Sequence, residues 1–556
     1  MLFFNNKCFW LAASLLGLGL ATPALAKTPD KQRNVVFVLL DDLRYDGMGF
    51  LQEELQTPNI DKLAESGVYF PNAVVTSSLC SPSRATILTG MTARNHKIVD
   101  NNNSSEEGLT FFPEYLQQVG YKTGFFGKWH MGSHSDMPRE GFDKWVSFPG
   151  QGAYFPNDSI PQPLLDKGVV NQLNIDGQKV NQTGYITDEL TDYALDWLTK
   201  DVKNNQPFFL YLSHKAVHSD AKPPARYKDQ YADTKFKLPD SAVVTEQDAK
   251  NKPMWVHNQR NSWHGTDFFY ASDRTMEEYL KQYYATLSAV DDSLGTIVNY
   301  LKENNLYENT MIVFYSDNGF LIGDHGLIDK RNAYEGSVRV PLIISAPGLL
   351  PAGETNQTLV RNLDMAPTFL DLAGANQPEQ FEGKSFLPVA SGEVSEQDWD
   401  EPDFVYEYYW EWSFPMTPTT FAIRRGNLKY IQYHGVWDIE ELYDLDADPE
   451  EMHNLIRDPA YAEHLLPLRE ALYASLVPAD NSKPAVPFNA RLAEGMNLRK
   501  RDGLKEAPFP DWWLVEPNRK DKFMGLFPDT PMKIEAQRNK EVYFPYMENM
   551  KNGSAH

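Results

Sequence analysis

Two short apolar runs, each ending in paired acidic or amide side chains, constrain this chain more than any other feature. Asn34-Val35-Val36-Phe37-Val38-Leu39-Leu40 is unbroken, rich in β-branched residues and followed at once by Asp41-Asp42. Met311-Ile312-Val313-Phe314-Tyr315 has the same character and runs into Ser316-Asp317-Asn318-Gly319. A strand without polar alternation is apolar on both faces, which predicts a central position covered on both sides. Pro207-Phe208-Phe209-Leu210-Tyr211-Leu212 and Val340-Pro341-Leu342-Ile343-Ile344 read as two further strands. Helical patterns lie between them at Asn59 to Ser66, Phe112 to Val119, Thr187 to Thr199, Met276 to Asn304 and Asp364 to Leu372. Strands alternating with helices predict an α/β fold with a large, mostly parallel sheet sandwiched by helices. Ligands in such sheets sit beyond the carboxyl ends of the strands. The polar residues that follow the two runs are therefore expected to face one site.

The ends of the chain have a different texture. Lys7, the apolar stretch Phe9 to Leu20 and the small-residue site Ala24-Leu25-Ala26 predict a secretory signal peptide over 1–26, and hence export to the periplasm or beyond. No later segment is long and apolar enough to span a bilayer. The α/β domain is expected over 27–395. The half-polar strands Ala422-Ile423-Arg424, Lys429 to Tyr433 and Glu441 to Leu445, with a helix over Tyr461 to Leu476, predict a smaller C-terminal α+β domain over 396–480. Residues 481–556 are expected to wrap the surface as an extension.

Charge narrows the function. With 76 acidic against 52 basic residues the net charge is −24, which argues against a nucleic-acid partner. An anionic substrate would need a local basic pocket to overcome the field of the whole molecule. Of the two cysteines, Cys8 lies in the predicted leader, so Cys80 is alone in the mature chain and asks for a reason.

That reason lies in its neighbours. Cys80-Ser81-Pro82-Ser83-Arg84-Ala85-Thr86-Ile87-Leu88-Thr89-Gly90 resembles the motif of the type I sulfatase family, C-x-P-x-R followed by a leucine-threonine-glycine segment. Gly127-Lys128-Trp129-His130, Ser316 to Gly319, Gly323-Asp324-His325-Gly326 through Lys330, Arg339-Val340-Pro341, Asp364 to Thr368 and Leu442-Tyr443-Asp444-Leu445 resemble further blocks of that family. The resemblance runs from about residue 33 to residue 475 and implies an alkaline-phosphatase-like fold.

It also implies a mechanism. A maturation enzyme would oxidise Cys80 to formylglycine, whose hydrate supplies one oxygen to attack sulfur and a second to expel sulfate from the covalent sulfo-enzyme. Asp41, Asp42, Asp317 and Asn318, with residue 80, would hold calcium or magnesium; oxygen-only ligands suit a hard cation better than zinc. Arg84 and Lys128 would orient the diol, and His130 would act as its base. His218 would bind sulfate and serve as general acid, with His214 as second choice; Lys330 would bind sulfate and share in proton donation. His325 would stand behind them. His264, His434, Trp263, Trp410, Trp412 and Trp437 are candidates for touching sugar, since aromatic rings stack on sugar faces.

Export and acidity favour a sulfated polysaccharide or its oligosaccharides as partner, a marine algal glycan such as carrageenan or ulvan first and a glycosaminoglycan fragment next. Three alternatives compete: a phosphonate or phosphodiester hydrolase on the same scaffold, a zinc-dependent phosphatase, and a sulfated-glycan-binding protein in which Cys80 is never oxidised.

Overall fold

The computed structural model describes residues 32–101, 106–131, 135–203, 206–242, 251–259, 275–411, 414, 417–434 and 438–476. The predicted leader, the extension over 481–556, and His264, Trp263, Trp412 and Trp437 lie outside them.

The strands are β1 (Asn34–Leu40), β2 (Val68–Tyr69), β3 (Ala73–Val74), β4 (Lys122–Lys128), β5 (Lys144–Phe148), β6 (Gln172–Ile175), β7 (Gln178–Asn181), β8 (Phe208–Ser213), β9 (Thr310–Ser316), β10 (Leu342–Ser345), β11 (Glu354–Thr355), β12 (Val360–Arg361), β13 (Phe404–Tyr408), β14 (Thr419–Arg425), β15 (Leu428–His434) and β16 (Glu441–Asp444). Ten of them form one sheet in the order β11-β2-β10-β9-β1-β8-β4-β5-β6-β7. The run β9-β1-β8-β4-β5 is parallel throughout, whereas β10 joins β9 antiparallel and β6–β7 is an antiparallel hairpin at the other edge. The centre is thus parallel, the β10-β2-β11 edge is mixed and the β6–β7 edge is antiparallel.

The principal helices are α1 (Pro58–Glu65), α2 (Cys80–Thr89), α3 (Phe112–Gln118), α4 (Ile186–Lys200), α5 (Met276–Glu303), α6 (Met365–Ala373) and α7 (Ala462–Leu476). All seven residues of β1 are buried. Its alternation sends Val36, Val38 and Leu40 into a core shared with Leu190 of α4 and Leu287 of α5. Val35, Phe37 and Leu39 enter the opposite core with Ile87 of α2, Phe112 of α3 and Phe369 of α6. Each such side chain, fully removed from water, contributes roughly 1.5–3 kcal/mol, so the unbroken apolar run follows from having helices on both faces. The longest helix, α5, starts with a capping box: Thr275 Oγ1 accepts from the Glu278 N–H at 3.1 Å while Glu278 Oε2 accepts from the Thr275 N–H at 2.7 Å.

β13 to β16 form a four-stranded antiparallel sheet, backed by Leu468 and Leu472 of α7. Its other face meets the large domain through Phe404, Tyr406 and Tyr443 packed with Leu327 and Tyr334. A charged knot lies there as well. Buried Lys429 of β15 pairs with Glu335 at 2.8 Å and with Glu451 at 2.6 Å. Burial and the adjoining Glu335 push the Glu451 carboxyl up to about 7 against the pull of Lys429; Lys429, Arg424 and Arg339 overcome burial at Glu335 and draw it down to about 2. Lys429→Met should therefore remove the counter-ion shared by two buried carboxylates, leaving Glu335 to Arg339 and Arg424 and Glu451 to Lys252, at a cost of about 3 kcal/mol. A thermal melt checks this, and an unchanged melting temperature would show that the knot contributes nothing.

Candidate active site

Four adjacent strand ends supply the site. β1 delivers Asp41 and Asp42, its neighbour β9 delivers Asp317 and Asn318, β8 on the other side leads into the loop with His218, and β4 ends on Lys128. β4 approaches β8 closely because residue 127 is glycine: its φ is +123°, and a Cβ there would lie 1.8 Å from the Ser213 carbonyl oxygen. Cys80 enters from above as the first residue of α2, a helix whose ten residues are all buried.

These elements converge on one buried cluster. Carboxylate oxygens of Asp41, Asp42 and Asp317 lie within 4.8 Å of one another, and a ligand atom each from Asp41, Cys80 and His218 forms a second such group. Asp41 Oδ1 lies 3.4 Å from the Cys80 sulfur, to which Lys330 Nζ donates at 2.8 Å. Lys330 also pairs with Asp42, and Lys128 with Asp41. Arg84 Nε donates to Asp317 at 2.8 Å, while its Nη1 donates to the Lys128 carbonyl and to Ser213 Oγ, each at 2.7 Å. Asn318 Nδ2 donates to Asp42 at 2.6 Å. Its Oδ1 is buried and has no hydrogen-bond partner, so an oxygen acceptor stands beside three carboxylates. That donor set fits a hard divalent cation.

Electrostatics separate the members. Burial raises the Asp41 carboxyl, but Lys128, His218, Arg84 and Lys330 overcome it and hold Asp41 well below the usual range. Burial and the charge on Asp41 lift Asp317 to about 7, against Arg84; a bound cation would reverse that shift. Burial pushes the Cys80 thiol up to about 12, with Asp41 adding to it. The unmodified side chain is therefore a protonated thiol at neutral pH, a weak nucleophile.

The histidines divide. His130, with φ +56°, places Nδ1 3.4 Å from Ser81 Oγ, and burial with Lys128 keeps it neutral. His218 Nδ1 lies 2.5 Å from the Ser219 carbonyl oxygen, which assigns the proton to Nδ1 and leaves Nε2 3.8 Å from Asp42. Burial lowers its pKa to about 3. His214 turns away: fully buried, it meets Ser293 of α5 at 3.3 Å on the face of the sheet covered by α4 and α5. The expectation that His214 binds substrate is corrected accordingly, since the first residue after β8 belongs to the covered face. The His325 ring lies against that of Tyr334, centroids 4.2 Å apart and tilted by 43°. His434 ends β15, on the small sheet and not on any of the four strands that reach Cys80.

Three neighbours escaped the sequence reading. Gln151 Oε1 accepts from Lys128 Nζ at 2.5 Å. Tyr154 donates to the His218 carbonyl at 2.8 Å, and its ring lies 4.8 Å from the ammonium of buried Lys215. Tyr283 of α5 donates to the Asp42 carbonyl at 2.5 Å. None of the three carried a local signal; the adjoining Lys215, a cation between two histidines after a strand, did.

Comparison with known proteins gives this geometry a family. The Sulfatase family model matches residues 33–375, and the model described as N-sulphoglucosamine sulphohydrolase, C-terminal, matches residues 323–476. The N-acetylglucosamine-6-O-sulfatase of Bacteroides thetaiotaomicron is 31% identical over 519 residues, covering 83% of this chain and 89% of its own. A structure solved with its substrate D-glucosamine-2-N,6-O-disulfate superposes with a TM-score of 0.71 at 29% identity, covering 82% of this chain and all of the other. A second, Ps i-CgsB in complex with k-i-k-neocarrahexaose, gives 0.63 at 28% identity, covering 83% and 96%. Fold, site and relatives together define a sulfuric ester hydrolase. The chain belongs to the sulfatase family of the alkaline-phosphatase-like superfamily.

Among the described residues, no helix is long and apolar enough to cross a membrane.

Proposed function

We propose that this chain hydrolyses sulfate esters of a sulfated carbohydrate, with residue 80 as nucleophile after oxidation of Cys80 to formylglycine by a maturation enzyme, and with calcium (or magnesium) held by Asp41, Asp42, Asp317 and Asn318. The observation that carries the reading is the meeting of Cys80 with three carboxylates and the orphaned Asn318 oxygen at the rim of a parallel sheet.

The group at residue 80 supplies a geminal diol, and the cation supplies Lewis-acid polarisation of a sulfate oxygen. The chain's own residues do the rest. Lys128, Lys330 and Arg84 bring three cations to a place where the molecule is otherwise acidic, which offsets repulsion of an anionic ester. Neutral His130 accepts a proton from the hydroxyl at residue 80. His218 presents Nε2 to the leaving oxygen. To act as acid it must first be protonated there, and the negative charge of a bound sulfate favours that state.

Glucosamine-type sulfates rank ahead of algal galactans as substrate. The relative at 31% identity is an N-acetylglucosamine-6-O-sulfatase and the structure at TM-score 0.71 holds a glucosamine disulfate, which reverses the order suggested by export and acidity. Neocarrahexaose in the second structure keeps carrageenan as the other reading. Export itself follows from the predicted leader over 1–26.

The test is release of inorganic sulfate from a panel of defined sulfated oligosaccharides by matured, calcium-loaded enzyme, with phosphate and phosphonate esters as competitors. Turnover that is fastest on the phosphorus esters would reject the assignment. His218→Ala should slow poor leaving groups, such as sugar alcohols, at least about tenfold more than 4-nitrophenyl sulfate, because only the former need the proton. Equal losses on both would remove the acid role.

A further inference from the structure

We propose that the cleft at the carboxyl end of β5 binds the sugar next to the one whose sulfate is removed. The inference rests on the carbohydrate reading above and deepens it. β5 lies beside β4 with Phe148 opposite Lys128, so the chain after Phe148 rises at the same rim as the Cys80 cluster. There it lines a cleft of about 420 Å³ with the β6–β7 hairpin as the facing wall, a volume in the range of small-molecule sites.

The lining matches a polyhydroxylated, anionic unit. Four amides, Gln151, Asn171, Gln172 and Gln182, and one cation, Lys179, surround it, and its described lining contains no carboxylate. That is unusual in a chain of net charge −24. The 480 Å³ cleft between α4 and α5 shows the contrast, with Asp188, Asp192 and Asp292 in its wall. The amide protons of Asn171 and Gln182 go to backbone carbonyls and Gln172 donates to Asn181, so these three present carbonyl oxygens as acceptors for sugar hydroxyls, while Gln151 and Lys179 supply donors. Lys179, half-exposed and held by Asp136, retains ammonium protons for an acidic substituent.

Gln151 ties the cleft to the chemistry. Its Oε1 accepts from Lys128 Nζ while the same side chain lines the cleft, leaving Nε2 to donate to the occupant. A sugar seated there fixes Gln151 and, through it, the ammonium beside Asp41. Gln151 is a positioning residue in this account.

Lys179→Met removes the cation, and Val170→Trp fills the cleft from its wall. Initial rates are compared on 4-nitrophenyl sulfate, glucosamine 6-sulfate and a heparin-derived tetrasaccharide. Both variants should keep kcat/KM on the aryl sulfate within about twofold and lose roughly tenfold or more on the tetrasaccharide through KM, Lys179→Met by the loss of one charge-assisted hydrogen bond and Val170→Trp by occupying the cleft. Unchanged rates on the tetrasaccharide, or equal losses on all three substrates, would overturn the proposal. If the unaltered enzyme released sulfate from no saccharide, the carbohydrate reading would fail by itself. The cleft is then decided by titrating the tetrasaccharide into calcium-loaded Cys80→Ser protein: weaker binding after Val170→Trp supports it, and equal affinity rejects it.

Discussion

Cys80→Ser should abolish sulfate release, by at least about 10⁴-fold, with the melting temperature unchanged. Oxygen replaces sulfur at nearly the same volume in a fully buried position, where the Lys330 ammonium at 2.8 Å and Asp41 at 3.4 Å remain as polar partners. The fold therefore has no cause to respond. The chemistry does, because a serine has one oxygen: sulfated once, it lacks the second hydroxyl that would expel the product. Inorganic sulfate measured against time on the best substrate gives the readout, together with a thermal melt of the same sample. Near-normal turnover in this variant would take the nucleophile away from position 80.

The second large effect is expected from Asp317→Asn. Asp317 pairs with Arg84 at 2.8 Å, both side chains being buried, and the next carboxylate lies 4.0 Å from that guanidinium, at Asp41. Neutralising it removes one of three carboxylates from the cation site and leaves Arg84 underpaired. Calcium affinity should fall at least about tenfold, and stability by about 3–5 kcal/mol, the usual cost of breaking a buried pair from one side. Calcium titration and thermal melts with and without chelator separate the two losses. An unchanged calcium titration would exclude Asp317 from the cation site.

Much of the centre was legible because its physics is local. β1, β8 and β9 are apolar on both faces, so their runs are continuous and their polar terminators visible. α5 was visible through its long helical period, Met276 to Asn304. Elsewhere the signal fails for identifiable reasons. α2 carries Cys80 yet shows no helical period, since all ten residues are buried and no polar face exists to alternate with. β4, Lys122–Lys128, holds two glycines that read as turn residues; one of them is there to let β8 approach. β13, Phe404–Tyr408, was missed because its glutamate is buried against Arg94, at a distance of 313 residues along the chain. Among the site residues, Asp41, Asp42, Cys80, Arg84, Lys128, His130, His218, Asp317, Asn318 and Lys330 were named by motif, and the structure brings them into one neighbourhood. His214 was misread because adjacency in sequence says nothing about which face of a sheet a side chain takes. Gln151, Tyr154 and Tyr283 belong to no motif; only the folded sheet brings them to Lys128, His218 and Asp42.

The burial of residue 80 bears on the order of events in biosynthesis. Helix α2 covers its thiol over the strand ends, and a side chain with no exposed surface offers nothing to a partner of enzymatic size. Any catalyst that oxidises this cysteine must therefore meet the polypeptide before it collapses. If oxidation of Cys80 supplies the nucleophile, as proposed above, conversion has a deadline, and a molecule that folds first would stay unconverted.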